Sequence, residues 1–287
     1  MIYDYIQLCR PKHVVKSFLI LLPPFFGKII LVPQTLRTAL FAILSFSAVA
    51  AAIYVINDVA DVDNDRNSST KRNRPIASGR VSIPKALFFS AILLGIGFTM
   101  LVFSDNIIAN FVLLLTYLVL NIAYSLTLKN KPLIDVFVLA SGFVLRVYFG
   151  GFWFDVAVSP WLFLCIFCGA LFLAFGKRRN EMLHMSPPYL TRPVLRRYTC
   201  QYLTSCYYLF CGLTIVFFSL WTVFATEPQS MFMYTIPVVI FIVLRYNLII
   251  ETVDTSGDPI PTLLGDKLLV FLIMFFLILS FIGLYFS

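Results

Sequence analysis

Long apolar runs separated by short polar connections make up most of the sequence. A helix needs roughly 20 consecutive apolar residues to cross a bilayer, and many of these runs have about that length. They cover residues 14–32, 38–56, 85–103, 108–128, 133–151, 160–176, 199–224, 231–250 and 267–286. Pro23 and Pro24 interrupt the first run, which we expect to be kinked or broken near its middle. The pattern therefore predicts an all-α membrane protein with nine transmembrane helices.

The composition agrees with this prediction. Of the 287 residues, 60% are hydrophobic and 13% are charged. A soluble domain has about 25% charged residues, so this supply is too small to cover a water-facing surface. No change of composition marks a linker, and residues 1–287 are predicted to form a single transmembrane domain. The bilayer is the expected environment, and nucleic acid is not an expected partner.

Basic residues fall on alternate connections. Lys and Arg concentrate in the N-terminal segment and after the second, fourth and sixth predicted helices, while the connections after the third, fifth and seventh contain none. Lys28, near the end of the first run, and Arg37, just before the second, are exceptions. By the positive-inside rule, we expect the N-terminus and the basic connections in the cytoplasm and the C-terminus outside.

One connection is acidic as well as basic. The stretch N-D-V-A-D-V-D-N-D-R, residues 57–66, follows the second apolar run directly. If the helix continues through it, Asp58, Asp61 and Asp65 share one face with Asn57 beside them, whereas Asp63 points elsewhere. Three carboxylates on one face repel each other, and Mg²⁺, a hard cation with oxygen ligands, would supply the counter-charge. A solvated acidic loop is the alternative.

Cations follow the acids closely. The stretch K-R-N-R-P-I-A-S-G-R, residues 71–80, includes Lys71, Arg72 and Arg74. Arg binds phosphate as a bidentate fork and Lys binds it as a point charge. Carboxylates for a metal and cations for phosphates in one connection predict a magnesium diphosphate site at the cytoplasmic face.

These residues resemble the UbiA superfamily of intramembrane prenyltransferases. N-D-V-A-D-V-D-N-D is similar to its N-D-x-x-D-x-x-x-D motif, R-P-I-A-S-G to the continuation, and Y-S-L-T-L-K with Asp135 to a second motif. Many members have a D-x-x-x-D pair there, where this chain has Tyr124, Lys129 and Asp135. The resemblance implies a UbiA-like fold around a central cavity open to the cytoplasm and the bilayer. It also implies catalytic roles for five residues: Asp58, Asp61, Tyr124, Lys129 and Asp135.

Further segments look like one branch, the decaprenyl-phosphate phosphoribosyltransferases. They are R-P-K-H-V-V-K-S, L-K-N-K-P-L-I-D-V-F-V-L-A-S-G-F-V-L-R-V-Y-F-G-G and L-F-L-A-F-G-K-R-R-N-E-M. Such enzymes transfer phosphoribose from phosphoribosyl diphosphate (PRPP) to a polyprenyl phosphate and release diphosphate. The resemblance implies Mg²⁺ as cofactor, a bacterial cytoplasmic membrane and a role in making arabinan precursors for the cell wall.

PRPP carries phosphate at both ends, so it needs a second group of cations. Lys129 and the run Lys177, Arg178 and Arg179 are the candidates, with Lys16 as a further substrate ligand. Arg146 lies within an apolar run, where a charge is costly in lipid, and is either a phosphate ligand or the partner of an acid. A lipid phosphate is already an anion, so its attack needs no general base.

Several alternatives stay open at this point. Prenyl transfer from a prenyl diphosphate to an aromatic acceptor such as 4-hydroxybenzoate would use the same acids, and a lipid-phosphate carrier would use no chemistry. Cys165 and Cys168 are predicted to be packing residues. Asp258, in S-G-D-P, is either a turn residue or a ligand of a second metal. The sequence leaves the polyprenyl length and homo-oligomer formation undetermined.

Overall fold

A computed structural model describes residues 2–67, 71–184, 193–224, 231–252, 262–263 and 265–286, and its regular elements over these ranges are helices. Eight of the helices are long and apolar enough to cross a membrane. The α-helices are α1 (Ile2–Leu8), α2 (Leu22–Phe26), α3 (Pro33–Ala60), α4 (Val62–Arg66), α5 (Ile83–Thr99), α6 (Ile107–Leu126), α7 (Ile134–Trp153), α8 (Pro160–His184), α9 (Cys200–Phe224), α10 (Thr235–Thr252) and α11 (Lys267–Tyr285). The prediction of an all-α, multi-pass membrane protein is therefore confirmed.

The predicted first span differs from the others. A 3-10 helix over Pro11–Leu21 is followed by the five residues of α2, and the chain then turns at Gly27 and Lys28. Proline lacks a backbone N–H and fits the first turn of a helix, so Pro23 and Pro24 lie at the start of α2. Nine spans are thus not confirmed, since eight helices among the described residues qualify.

The chain divides into two compact units. Unit 1 contains residues 1–129 and 145–157, and unit 2 contains residues 130–144 and 158–287, so α7 contributes to both. The central cavity expected from the family resemblance stays a prediction.

In unit 1, helix α3 is the centre of the core. Its side chains Phe46 and Val49 are fully buried with Phe149 and Trp153 from the end of α7. Helix α5 comes close to α3 at Gly97, where a Cβ atom would lie 2.9 Å from the carbonyl oxygen of Ser45. The Ser45 hydroxyl donates to the Gly97 carbonyl at 2.8 Å, a small-residue contact typical of membrane helices.

A second apolar cluster of unit 1 organises the acidic segment. Leu8 of α1 is buried with Val55 of α3, Val62 of α4, and Ile76 and Val81 of the following connection. These contacts hold the N-terminal helix and the basic connection against the end of α3. The N-terminal cations and the acids of residues 58–65 are thereby brought together.

Unit 2 is built mainly on α8 and α9. Leu171 and Phe175 of α8 are buried with Leu203 and Tyr207 of α9 and with Val136 of α7. This core carries the charged end of α8, which begins at Lys177, two residues after Phe175.

Candidate active site

The acidic segment is helical on both sides of Asp61 but not through it. Helix α3 ends at Ala60, Asp61 has φ −98° and ψ 7°, and α4 begins at Val62. Asp58 and Asp65 are buried, with 4% and 3% of their surface exposed. Asp63 is exposed and lies 3.4 Å from Arg66. The expected single helical face is therefore interrupted, although Asp63 does point away from the buried acids.

Arg74 joins the two buried acids. Its Nη1 atom donates to Asp58 Oδ1 at 3.0 Å and to Asp65 Oδ2 at 2.7 Å. Pro75 and Ile76, which follow it, are buried, so this part of the connection is packed rather than solvated. A buried carboxylate needs a paired cation, and one guanidinium serves both here.

Arg10 provides a second cation for Asp58, and sequence reasoning used it only as a topology signal. Its Nη2 atom donates to Asp58 Oδ1 at 2.5 Å, and its guanidinium lies 4.9 Å from the centre of the Tyr54 ring. Arg10 has φ 49°, an uncommon value for a residue other than glycine. Arg10 begins the quoted segment R-P-K-H-V-V-K-S, but nothing in that segment indicates its partner, which is 48 residues away.

Asp61 has different partners. The ammonium Nζ of Lys129 donates to Asp61 Oδ1 at 2.5 Å, and the Asn57 amide donates to Oδ2 at 3.3 Å. Over the described ranges, no three acidic, His or Cys side chains form a group that could hold a metal by themselves. The carboxylate donors still suit Mg²⁺, since that ion is commonly held by one or two carboxylates together with water and substrate phosphate oxygens.

The other predicted ligands of unit 1 are more scattered. Lys16 is half-buried on the 3-10 helix, Tyr124 is half-buried on α6, and Lys71 and Arg72 are exposed. Arg146 is buried, with Nη2 donating to the Tyr117 hydroxyl at 2.9 Å. The guanidinium also lies 4.7 Å from the Phe46 ring centre, so aromatic groups surround it.

Asp135 and Arg178 meet in unit 2. Arg178 Nε donates to Asp135 Oδ2 at 2.7 Å, and its Nη1 donates to Glu181 Oε2 at 2.9 Å. All three residues are buried: the exposed fraction is 0% for Asp135, 1% for Arg178 and 8% for Glu181. Sequence reasoning did not identify Glu181, although its position three residues after Arg178 places both on one helix face.

Tyr198 completes this buried network. Its hydroxyl donates to Asp135 Oδ1 at 2.9 Å and accepts a hydrogen bond from the Leu133 N–H at 2.5 Å. Burial, with the nearby Asp135 carboxylate, raises the pKa of the Tyr198 phenol. The phenol therefore stays protonated and keeps its hydrogen bond to Asp135 at neutral pH. No sequence motif marked Tyr198.

The three consecutive bases of α8 have different environments. Arg178 is buried as described, Lys177 is half-buried, and Arg179 binds Glu251 of α10 at 2.9 Å. Arg179 also donates to the Thr204 hydroxyl of α9 at 3.0 Å. Helical rotation of about 100° per residue separates neighbouring side chains in this way.

Two weaker predictions concern single residues. Cys165 and Cys168 are free thiols within α8, and Cys168 is buried in an apolar setting. The Cys165 thiol lies 3.9 Å from the Thr214 carbonyl oxygen of α9. This agrees with packing residues at a helix contact. Asp258 lies outside the described residues.

Known proteins are similar to this chain in sequence and in fold. The chain is 30% identical over 271 residues to the decaprenyl-phosphate phosphoribosyltransferase of Corynebacterium glutamicum, which covers 92% of this chain and 81% of that protein. It is 30% identical over 279 residues to the enzyme of the same name from Mycobacterium tuberculosis, with 94% and 90% covered.

A solved structure extends the similarity to three dimensions. The structure of a UbiA homologue from Archaeoglobus fulgidus bound to GPP and Mg²⁺ matches with a TM-score of 0.75 at 20% identity, covering 98% of this chain and 99% of that chain. A model of the UbiA prenyltransferase family matches residues 21–259. The chain belongs to the UbiA prenyltransferase family.

Proposed function

We propose that this protein transfers 5-phosphoribose from PRPP to a polyprenyl phosphate of decaprenyl type, with Mg²⁺, and releases diphosphate. The relatives named decaprenyl-phosphate phosphoribosyltransferase support this proposal, because they align over 92% and 94% of the chain. The observation that carries it is the ionic cluster of unit 1, in which Asp58, Asp61 and Asp65 lie against Arg10, Arg74 and Lys129.

This cluster contains both groups that a metal diphosphate requires. Asp58, Asp61 and Asp65 are the residues that would hold Mg²⁺, which, when bound, neutralises charge on a departing diphosphate. Arg10, Arg74 and Lys129 would bind phosphate oxygens through charge-assisted hydrogen bonds. These cations pair with the carboxylates, so Asp58 and Asp65 are buried without an uncompensated charge.

The reaction itself requires little proton transfer. An oxygen of the lipid phosphate attacks C1 of the ribose, the bond from C1 to the diphosphate oxygen breaks, and diphosphate leaves with the bonding electrons. Tyr124 keeps its proposed catalytic role. Further substrate contacts would come from Lys16, Asn57, Lys71, Arg72 and Arg146.

The basic residues of unit 2 are proposed to act within that unit. Lys177 and Arg179 would bind an anionic group of a substrate. Arg178 and Asp135, which are bound to each other in the interior, would hold the end of α8 in place.

The location follows from the distribution of bases. We place the N-terminus and the connections after α4, after α6 and after α8 at the cytoplasmic face of a bacterial membrane, where PRPP is available. The lipid would enter from the bilayer.

The test uses purified protein with Mg²⁺, ribose-labelled PRPP and a long polyprenyl monophosphate. Label should move into the organic phase with one diphosphate released per lipid product, and EDTA should abolish turnover until Mg²⁺ is restored. No labelled lipid across several polyprenyl lengths would contradict the proposal.

Prenyl transfer to an aromatic acceptor is the second candidate, because the family is named for prenyl transfer and a homologue of the same fold is solved with GPP and Mg²⁺. In that case geranyl or longer prenyl diphosphate should alkylate 4-hydroxybenzoate or a similar phenol, and PRPP should be inert. A lipid-phosphate carrier would instead move lipid phosphate even when Asp58 and Asp61 are replaced.

A further inference from the structure

Unit 2 has a surface cavity beside the buried Asp135 network, with which it shares Leu133 and Tyr198. Its volume is about 350 Å³, and it lies where α7 and α9 begin. The lining residues are Pro132, Leu133, Arg197, Tyr198, Thr199 and Tyr202. The two segments that form it, 132–133 and 197–202, adjoin the basic connections, so we expect the cavity at the cytoplasmic membrane interface.

One side of the cavity offers hydrogen-bond donors. Arg197 is exposed, and among the described residues no carboxylate forms an ion pair with it. The Thr199 oxygen accepts a hydrogen bond from the Tyr202 N–H at 3.1 Å, which leaves the hydroxyl proton available to a ligand. The six lining residues include no acid, so the cavity favours an anion.

The other side is apolar and preorganised. The rings of Tyr198 and Tyr202 are stacked, with centroids 6.1 Å apart and planes at 15°. The Tyr198 hydroxyl is already bonded to Asp135 and Leu133, and Tyr198 is only 8% exposed, so Tyr202, which is 44% exposed, offers most of the aromatic surface. Leu133 is 41% exposed despite being apolar, and its φ of 64° is strained for a leucine.

We propose that this cavity binds the phosphate and first isoprene units of a polyprenyl phosphate. The phosphate would bind Arg197 and the Thr199 hydroxyl, while the chain would pack on Leu133 and the tyrosine rings. A free phosphate would leave the apolar side without a partner, so an amphipathic lipid fits better. The choice of a prenyl lipid rests on the proposed function, whereas the phosphate and apolar contacts rest on the cavity itself.

Equilibrium binding tests the proposal without turnover. The full chain, in phosphatidylcholine nanodiscs, is titrated with a fluorescent farnesyl or geranylgeranyl monophosphate. Arg197→Gln should weaken binding roughly tenfold, the size expected for losing a charge-assisted hydrogen bond. Arg196→Gln is the matched control, because Arg196 is a neighbouring exposed base that does not line the cavity, and its binding should match the wild type.

A second variant tests the apolar side. Leu133→Gly removes a lining side chain at a position where glycine relieves the positive φ, so the fold should be retained. Binding should weaken in this variant as well, and the prenyl alcohol, which lacks phosphate, should compete poorly with the probe.

Three results would overturn the proposal. Equal losses in the Arg196 and Arg197 variants would indicate general charge attraction at the membrane surface. Full competition by inorganic phosphate or by phosphatidylglycerol would indicate a nonspecific anion site. Unchanged binding in Leu133→Gly would remove the apolar contact. If transfer of phosphoribose fails while binding depends on Arg197, the proposed function is wrong and the lipid site stands.

Discussion

The ammonium of Lys129 lies 2.5 Å from the carboxylate of Asp61, although the two residues are 68 positions apart in the sequence. Asp61 therefore has a different cation partner from the other acids of its segment. Asp58 and Asp65 share Arg74 instead. The four neighbouring carboxylates of residues 58–65 thus have three environments, since Asp63 faces solvent beside Arg66.

Asp61 and Asp63 form a matched pair for testing the metal site. Asp61→Asn should lower phosphoribosyl transfer by roughly a hundredfold or more, because a proposed metal ligand is lost. Asp63→Asn should keep most activity, since that side chain is exposed. Steady-state rates at saturating Mg²⁺ measure both. Equal losses would remove Asp61 from the proposed ligand set.

Lys129 is expected to act on the donor. Lys129→Ala should raise the KM for PRPP, roughly tenfold for a lost charge-assisted hydrogen bond, and change the KM for the lipid less. Lys131→Ala is the control, because Lys131 is an exposed base of the same connection. The assignment fails if the two KM values rise equally, or if both variants behave alike.

Arg178 is expected to support the fold of unit 2. Arg178→Ala would leave Asp135 and Glu181 buried without their cation, which costs roughly 3–5 kcal/mol of unfolding free energy for a buried pair. Asp63→Asn, in an exposed pair, should cost roughly 0–1 kcal/mol. Thermal unfolding in detergent measures both. A stable Arg178→Ala protein with weakened PRPP binding would instead favour a direct substrate contact.

Topology can be checked in a cysteine-free background with Ser78→Cys and Asp105→Cys, both at exposed positions of unit 1. Ser78 lies within the basic connection and Asp105 precedes α6. We expect a membrane-impermeant maleimide to label Asp105→Cys from outside intact cells, and Ser78→Cys only after permeabilisation. Labelling of both from one side would contradict the assigned orientation.

The sequence by itself determined the helices. Eight of the predicted spans coincide closely with helices of the structure, because an apolar run of sufficient length in lipid must satisfy its backbone hydrogen bonds internally. The first run is not confirmed as a span: the chain changes from a 3-10 helix to the short α2 beside Pro23 and Pro24, where a kink or break was expected. The motif residues and the family were also visible in the sequence, since they depend on residue type and local spacing.

Only the tertiary structure decided which charges meet. Arg10 reaches Asp58 because Leu8 is packed beside Val55 and Val62. Arg178 and Tyr198 converge on Asp135 from separate parts of the chain. Local periodicity places residues on a face but carries no information about distant partners. A buried charge pairs with the opposite charge that packing brings within hydrogen-bond distance, because an unpaired buried charge destabilises the folded protein strongly.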